Sequence, residues 1–345
     1  MTHRMLAKNS RVLLVSALLL LHLPGDSSAQ GRELAGPPLL RIGALAEPEA
    51  EVFGSIAVVR AGPEGSVFVL DKMAGEIRWF GTDGRILGRA GRIGAGPGEF
   101  REPVEMVVGS DGLVHVLDPP NLRISTYRPA ANGLEHLRDV RTPPASDFCF
   151  LNDRIFILFP GPSGFLHEMG SAGEIIRTFG TPQRPRDRSG RVLSEDLQTY
   201  LLNRGHLLCD SRNQVVLFLS ERLPLVVAYS TTGQVLWSTE LQEYSMVQWE
   251  SSGGRIRMAA DPATGTVHTG KAIVQSSEGI LVVLHEGSLS DPDGRFELRV
   301  LDRSNGRELS RELLPFVITD SAAGHLYGYT TVPFPQVFVY GPSGG

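Results

Sequence analysis

Residues Gly91 to Tyr127 read GRIGAGPGEFREPVEMVVGSDGLVHVLDPPNLRISTY, and this stretch decides the fold. A glycine-rich loop (Gly94, Gly96, Pro97, Gly98) leads into Val104-Glu105-Met106-Val107-Val108, a short apolar run. Gly109-Ser110-Asp111-Gly112 spells a tight turn, and Leu113 to Leu117 reads as a second strand rich in β-formers. Asp118-Pro119-Pro120-Asn121 must turn again, because two prolines cannot donate to a sheet ladder. Arg123 to Tyr127 then alternates with the period of two that marks a half-buried strand. Three short antiparallel strands form a meander that needs neighbours to be stable.

The pattern recurs along the chain. Asp71 to Phe80 matches Asp118 to Tyr127, with the aspartate, the isoleucine and the closing aromatic at the same offsets. A turn ending in glycine precedes an outer strand at Thr82-Asp83-Gly84, Ser171-Ala172-Gly173, Thr231-Thr232-Gly233 and Ser304-Asn305-Gly306. A unit of roughly 40 to 70 residues suits a four-stranded propeller blade with insertions. Pro97-Gly98-Glu99-Phe100, Pro103 and Asp118-Pro-Pro-Asn121-Leu-Arg123-Ile124 resemble the NHL repeat of six-bladed β-propellers, in particular that of exported bacterial members. The resemblance is specific over residues 55 to 130 and looser elsewhere. It implies an all-β, six-bladed β-propeller with four antiparallel strands per blade.

The blades are expected at 53 to 90, 102 to 140, 146 to 179, 205 to 240, 267 to 313 and 316 to 340. The last is one strand short. Residues 38 to 45 supply that strand and close the ring, which removes an open edge. Three long connections, 91 to 101, 180 to 204 and 241 to 266, each join an outer strand to the next inner strand and so share one face of the disc. Ser194-Glu195-Asp196-Leu197, with Leu201, Leu202 and a stop at Gly205, predicts a short helix in the second. Its expected role is packing rather than that of a lid.

Residues 1 to 29 read as a signal peptide: Arg4, Lys8 and Arg11, a leucine-rich core from Val12 to Leu23, and a small-residue cleavage site at Ser27-Ser28-Ala29. The chain from 30 to 345 is then a single propeller domain, exported to the periplasm or secreted, with no membrane span after cleavage. A closed ring leaves no long strand edge to pair, so a monomer is expected. The 345 residues carry a net charge of −5 with both signs mixed, which gives no basic field for nucleic acid. RNA binding, known for some animal NHL proteins, is disfavoured by that charge and by export.

Catalytic signatures are sparse. Gly94 to Gly98 precedes a strand rather than a helix, so it reads as a connection and not a phosphate cradle. Asp71 and Asp118 close the second strands of their blades and are expected to accept backbone N–H groups. His115 stands where Phe68 stands one blade earlier and reads as packed, while His268, His285 and His325 lack ligand spacing. Asp291-Pro292-Asp293-Gly294 reads as a hairpin turn. Cys149 and Cys209 occupy equivalent places in the third and fourth inner strands. A bond needs Cα atoms within about 7 Å, and divergence of neighbouring strands favours two free thiols.

Inner strands line the central channel. Counting back eight positions from each second strand brings Glu105, Asp147 and His206 into blade-equivalent places, with Ser55 in blade 1, Lys271 or Ala272 in blade 5, and Phe316 or Val317 in blade 6. Two carboxylates and an imidazole at one channel mouth suit a divalent metal or an acid and base pair, and the favoured alternative is a solvated channel whose polar ends are filled with water. Calcium-dependent lactonases and zinc-dependent amidating lyases of this architecture draw ligands from most of the ring, whereas half of this ring is not ligating.

Two functions follow. The favoured one is a non-enzymatic binding or scaffold propeller without cofactor, holding a protein, peptide or glycan on its loop-rich face. Arg92, Arg101, Arg184, Arg186, Arg188 and Arg191 lie in those loops. The alternative is a metal-dependent, lactonase-like hydrolase or lyase with Glu105, Asp147 and His206 as metal-binding residues.

Overall fold

A computed structural model describes residues 37–46, 49–161, 163–184, 186, 190, 192, 196–252, 255–288 and 294–341. The signal-peptide reading, Ser194 and Glu195 of the helix start, Arg188, Arg191 and Asp291 to Asp293 lie outside them.

Among the described residues the first strand is β1 (Leu40–Ile42), and the first blade is built from β2 (Ile56–Ala61), β3 (Val67–Asp71), β4 (Glu76–Phe80) and β5 (Ile86–Ala90). Blade 2 is β6 (Glu105–Val108), β7 (Val114–Asp118), β8 (Arg123–Ala130) and β9 (Gly133–Arg141). Blade 3 is β10 (Asp147–Leu151), β11 (Arg154–Gly161), β12 (Gly164–Met169) and β13 (Ile175–Phe179). Helix α1 (Asp196–Leu202) precedes blade 4, which is β14 (Gly205–Asp210), β15 (Val215–Ser220), β16 (Leu225–Ser230) and β17 (Val235–Glu240). A hairpin, β18 (Gln248–Ser252) and β19 (Arg255–Ala259), fills the third long connection. Blade 5 is β20 (Val267–Gln275), β21 (Ile280–Gly287), β22 (Arg295–Leu301) and β23 (Glu308–Leu314). Blade 6 is β24 (Val317–Ala322), β25 (His325–Thr330) and β26 (Gln336–Tyr340).

These are six antiparallel four-stranded sheets, the last completed by β1 against β26 with Leu40 opposite Val339 and Ile42 opposite Val337. The ring closes as expected. Inner strands touch in the cyclic order β2, β6, β10, β14, β20, β24 and back to β2, which makes the molecule a six-bladed β-propeller. The core sits between blades, where buried apolar faces meet. Phe68, Leu70, Phe100, Met106, Val116 and Tyr127 form the layer between blades 1 and 2. Such side chains contribute about 1.5–3 kcal/mol each when fully buried.

The decisive stretch has a physical explanation. Asn121 Nδ2 donates to the Gly94 carbonyl at 3.0 Å, Arg123 Nη2 to the carbonyls of Gly96 and Glu99 at 2.6 and 2.5 Å, and the Tyr127 hydroxyl to Gly98 at 3.1 Å. Strand β8 therefore holds the preceding glycine-rich connection in place and drives Phe100 into the core. Gly98 takes φ +71, where a side chain would be strained.

Asp71 and Asp118 do the structural work expected of them. Asp118 accepts from the backbone N–H groups of Arg101 and Glu102 at 2.8 and 3.1 Å, and Asp71 accepts from Gly54, Ser55, Met73 and Ala74. Each carboxylate ties the incoming connection to its own blade.

One expectation of the fold needs correction. Cys149 and Cys209 are bonded, with Cα atoms 5.6 Å apart. Near the axis the inner strands β10 and β14 approach closely instead of diverging. In the third connection Trp249 of the hairpin packs with Leu202 of α1, Val247 and Val267. Helix and hairpin cover each other, which matches the packing role expected for the helix.

Candidate functional site

The site is assembled from the first residues of consecutive inner strands. Glu105 opens β6 opposite Leu117, Asp147 opens β10 opposite Leu158, and His206 lies opposite Leu219 in β14. Equivalent registers in adjacent blades aim the three side chains at one mouth. Their ligand atoms all lie within 4.8 Å of one another. Asp147 is buried, Glu105 nearly so, and the His206 side chain is 27% exposed, so the cluster opens to water on the His206 side.

The position that sequence counting gave for blade 1 is wrong. Val58 lies opposite Leu70, the place that Glu105 holds opposite Leu117 in blade 2, while Ser55 precedes β2 and gives its N–H to Asp71. The residue that reaches the cluster from blade 1 is Arg60. Its Nη2 donates to Glu105 Oε1 at 2.6 Å, its Nε to the Met106 carbonyl at 2.7 Å, and its Nη1 to the Thr319 carbonyl. The sequence signal was an arginine inside the otherwise apolar run Ile56-Ala57-Val58-Val59.

In blade 6 the bulge falls at Thr319, whose hydroxyl bonds to the backbone of Val59, and Asp320 accepts from the Ala61 N–H. Phe316 and Val317 are buried in the core between blades 5 and 6. Blade 5 places Gly270 opposite Leu284 and Ala272 opposite Val283, so Lys271 is its bulged residue and Ala272 belongs to the core.

The electrostatics follow from this packing. Burial pushes the Glu105 carboxyl up to about 7, with Arg60 opposing and Asp147 reinforcing. Burial works against charge on His206, yet the hydrogen bond and charge of Asp147, with Glu221 and Glu105, outweigh it and raise the imidazole above its ordinary value. Geometry agrees. His206 Nδ1 lies 3.2 Å from Asp147 Oδ2 and Nε2 lies 3.2 Å from the Gly270 carbonyl, so both ring nitrogens face acceptors. Only the imidazolium donates from both.

That arrangement bears on metal. Three side chains with oxygen and nitrogen donors at one mouth have the composition of a partial metal site. As folded, however, His206 offers no free lone pair and Glu105 Oε1 already receives Arg60 and the Met106 N–H. A divalent ion would have to displace a guanidinium and a proton. The donor set does not fit a metal without rearrangement.

His115 and His268 have structural roles. His115 is buried, bonds Thr126 through Nδ1 at 3.1 Å and packs on Phe150, and burial lowers its pKa to about 4. His268 accepts the Ser245 N–H at Nδ1. Of the loop arginines, Arg92 pairs with Glu99 at 2.5 Å, while Arg101, Arg184 and Arg186 are exposed. On the same face a depression of about 330 Å³ is lined by Ser55, Lys72, Met73, Ile93, Arg101 and Glu102. Met73 and Ile93 are 67% and 58% exposed there.

No known family model matches the sequence, and no curated protein matches it. Solved structures do resemble it in fold. A member of the DUF4221 family from Bacteroides vulgatus superposes with a TM-score of 0.57 at 9% identity, covering 87% of this chain and 95% of that one. A Bacteroides fragilis protein provisionally designated as exported gives 0.54 at 10% identity, covering 87% and 93%. Virginiamycin B lyase from Staphylococcus aureus is more distant, at 0.45 and 10% identity over 83% and 94%. The closed ring of six four-stranded blades defines the class of protein, a six-bladed β-propeller, and the two Bacteroides structures are similar to it in fold. Among the described residues no helix is long and apolar enough to cross a membrane.

Proposed function

We propose that this is an exported, NHL-type binding propeller that holds a protein, peptide or glycan on the face carrying its three long connections, without metal or other cofactor. One observation carries the reading. Glu105, Asp147 and His206 are neutralised within the protein by Arg60 and by the doubly donating imidazolium, a state that holds the channel mouth together instead of leaving coordination positions open. Export is supported by the composition of residues 1 to 29 and by the designation given to the Bacteroides fragilis relative in fold. The NHL type is supported by the loop-holding roles of Asp118, Asn121, Arg123 and Tyr127. The net charge of −5 speaks against nucleic acid. Strand pairing closes the ring, which favours a monomer.

A second reading, a metal-dependent hydrolase or lyase, draws on the convergence of the three ligand atoms within 4.8 Å. The two readings separate on peptide and glycan arrays probed with the mature protein and with a Met73→Ser/Ile93→Ser variant of the loop-face depression. Saturable binding weakened by that variant is expected. Turnover of lactones or esters that requires added divalent metal, with no array binding, overturns the proposal.

A further inference from the structure

Of the 33 basic residues, 30 are arginine and only Lys8, Lys72 and Lys271 are lysine. Lys72 pairs with Glu102 at 2.7 Å. Lys271 is different. It is the bulged residue of inner strand β20, between Gly270 and Ala272, so its side chain is set by the bulge and not by the pleat. It is exposed to water at the channel mouth, and among the described residues no carboxylate lies within ion-pair distance of its ammonium.

Its surroundings are rich in cations. The acid whose charge acts on it is Glu221, whose backbone carbonyl accepts the Gly270 N–H at 2.8 Å. That carboxylate is already shared by Arg204 at 3.2 Å and Arg222 at 3.1 Å. The Arg222 Nε is buried without a hydrogen-bond partner. His206, whose Nε2 faces the Gly270 carbonyl, adds a further positive charge beside Asp147. Elsewhere at the mouth the charges match: Arg60 serves Glu105, with Asp320 close by. In the sector between blades 4 and 5 the cations Lys271, Arg204, Arg222 and His206 thus outnumber the carboxylates Glu221 and Asp147. Although the residue Lys271 as a whole is exposed, desolvation of its amine, with Arg222 and Arg204 opposing Glu221, pulls it below its ordinary value, as expected of a cation short of a counter-charge.

We propose that Lys271, with Arg222 and Arg204 beside it, is the subsite for an oxyanion group of the ligand, a carboxylate or a phosphate or sulfate ester. This rests on the binding-propeller reading and names the chemistry that its ligand presents at the mouth. A charge-assisted contact from an ammonium to an oxyanion is among the stronger hydrogen bonds and fills the missing negative position.

The scarcity of lysine makes the test clean. The mature protein is acylated with limiting sulfosuccinimidyl acetate at constant ionic strength, and the rates at Lys271 and Lys72 are read by peptide mass spectrometry. Inorganic phosphate, sulfate, acetate and citrate are added in separate series. The expected result is a saturable slowing at Lys271 of about tenfold or more by at least one anion, equivalent to about 1.4 kcal/mol. Lys72 should be unaffected, and the protection should be lost in Arg222→Gln. Protection by acetate or citrate alone identifies a carboxylate source, and protection by phosphate or sulfate alone an ester.

Equal acylation of Lys271 in all four series overturns the assignment. Should Lys271 be too slow to follow, ¹⁵N-lysine NMR replaces the rate. Its amine pKa must rise on anion addition, and an unchanged titration overturns the assignment equally. Lys271→Met is expected to fold with an unchanged Tm, because no partner is lost. Array binding that survives this substitution removes the oxyanion subsite while leaving the binding reading intact. Loss of array binding in the Met73→Ser/Ile93→Ser variant bears on that reading alone.

Discussion

Arg60 and Glu105 stand on the inner strands of different blades, 45 residues apart, and meet at 2.6 Å across the boundary between blades 1 and 2. Their side chains are only 20% and 11% exposed. Removing one partner of such a pair leaves an uncompensated buried charge, which costs about 3–5 kcal/mol. Arg60→Met is therefore expected to lower stability by that amount in urea unfolding, and Arg60→Met/Glu105→Met to regain most of it. A single variant that unfolds like the wild type contradicts the pairing. The same substitution vacates the cation position, so Zn²⁺ affinity measured by calorimetry should rise relative to the wild type.

The cluster also sets a pH dependence. Glu105 has a folded pKa of about 7, above its ordinary 4.5, so the folded state binds a proton that the unfolded chain has already lost. Its contribution is full below the unfolded value and is lost as pH rises from about 4.5 to 7. His206 is raised too, and its contribution disappears as pH climbs through the folded pKa. Both act in one direction. Thermal stability is expected to fall between pH 5 and 8 by an amount on the order of 3 kcal/mol, and Glu105→Gln should flatten that slope. Scanning calorimetry across the range checks it, and a wild-type Tm that rises with pH through this window would refute it.

The disulfide closes a loop with a sequence separation of 60 between blades 3 and 4. Chain-entropy reasoning gives about 4 kcal/mol for a crosslink of this span. Cys149→Ala/Cys209→Ala should lower stability by that much, and the wild type should show no free thiol under denaturing, non-reducing conditions. Two titratable thiols would exclude the bond.

Asp118 is fully buried and accepts from Arg101 N, Glu102 N and Asn121 Nδ2. Asp118→Ala leaves these donors without their acceptor and is expected to cost about 3 kcal/mol, while Asp118→Asn, which keeps one acceptor, should cost less. Hydrogen exchange should rise first in residues 94 to 104, the connection that Asp118 anchors. Exchange that rises uniformly would show that the carboxylate does not act locally.

Legibility of the sequence divides along physical lines. Blade boundaries, ring closure by β1 and the roles of Asp71 and Asp118 were readable because turn chemistry and strand alternation are local. Glu105, Asp147 and His206 were found together because three consecutive blades keep one register. Arg60 was missed because it stands two residues further along β2 than the blade-equivalent position, which is Val58, and meets Glu105 only through the length of its side chain; a bulge left Lys271 and Ala272 unresolved until pairing separated them. The disulfide was missed for a different reason. Strand divergence within the ring depends on distance from the axis, which sequence spacing does not report.

The central claim is that the channel mouth is neutralised by its own side chains and serves binding, not metal catalysis. The most direct measurement is elemental analysis of protein purified without chelator and without added metal, beside a Glu105→Ala/His206→Ala variant. The account predicts well under one equivalent of any divalent ion in both. A near-stoichiometric ion in the wild type that vanishes in the variant would contradict it and turn attention to lactones and esters as substrates.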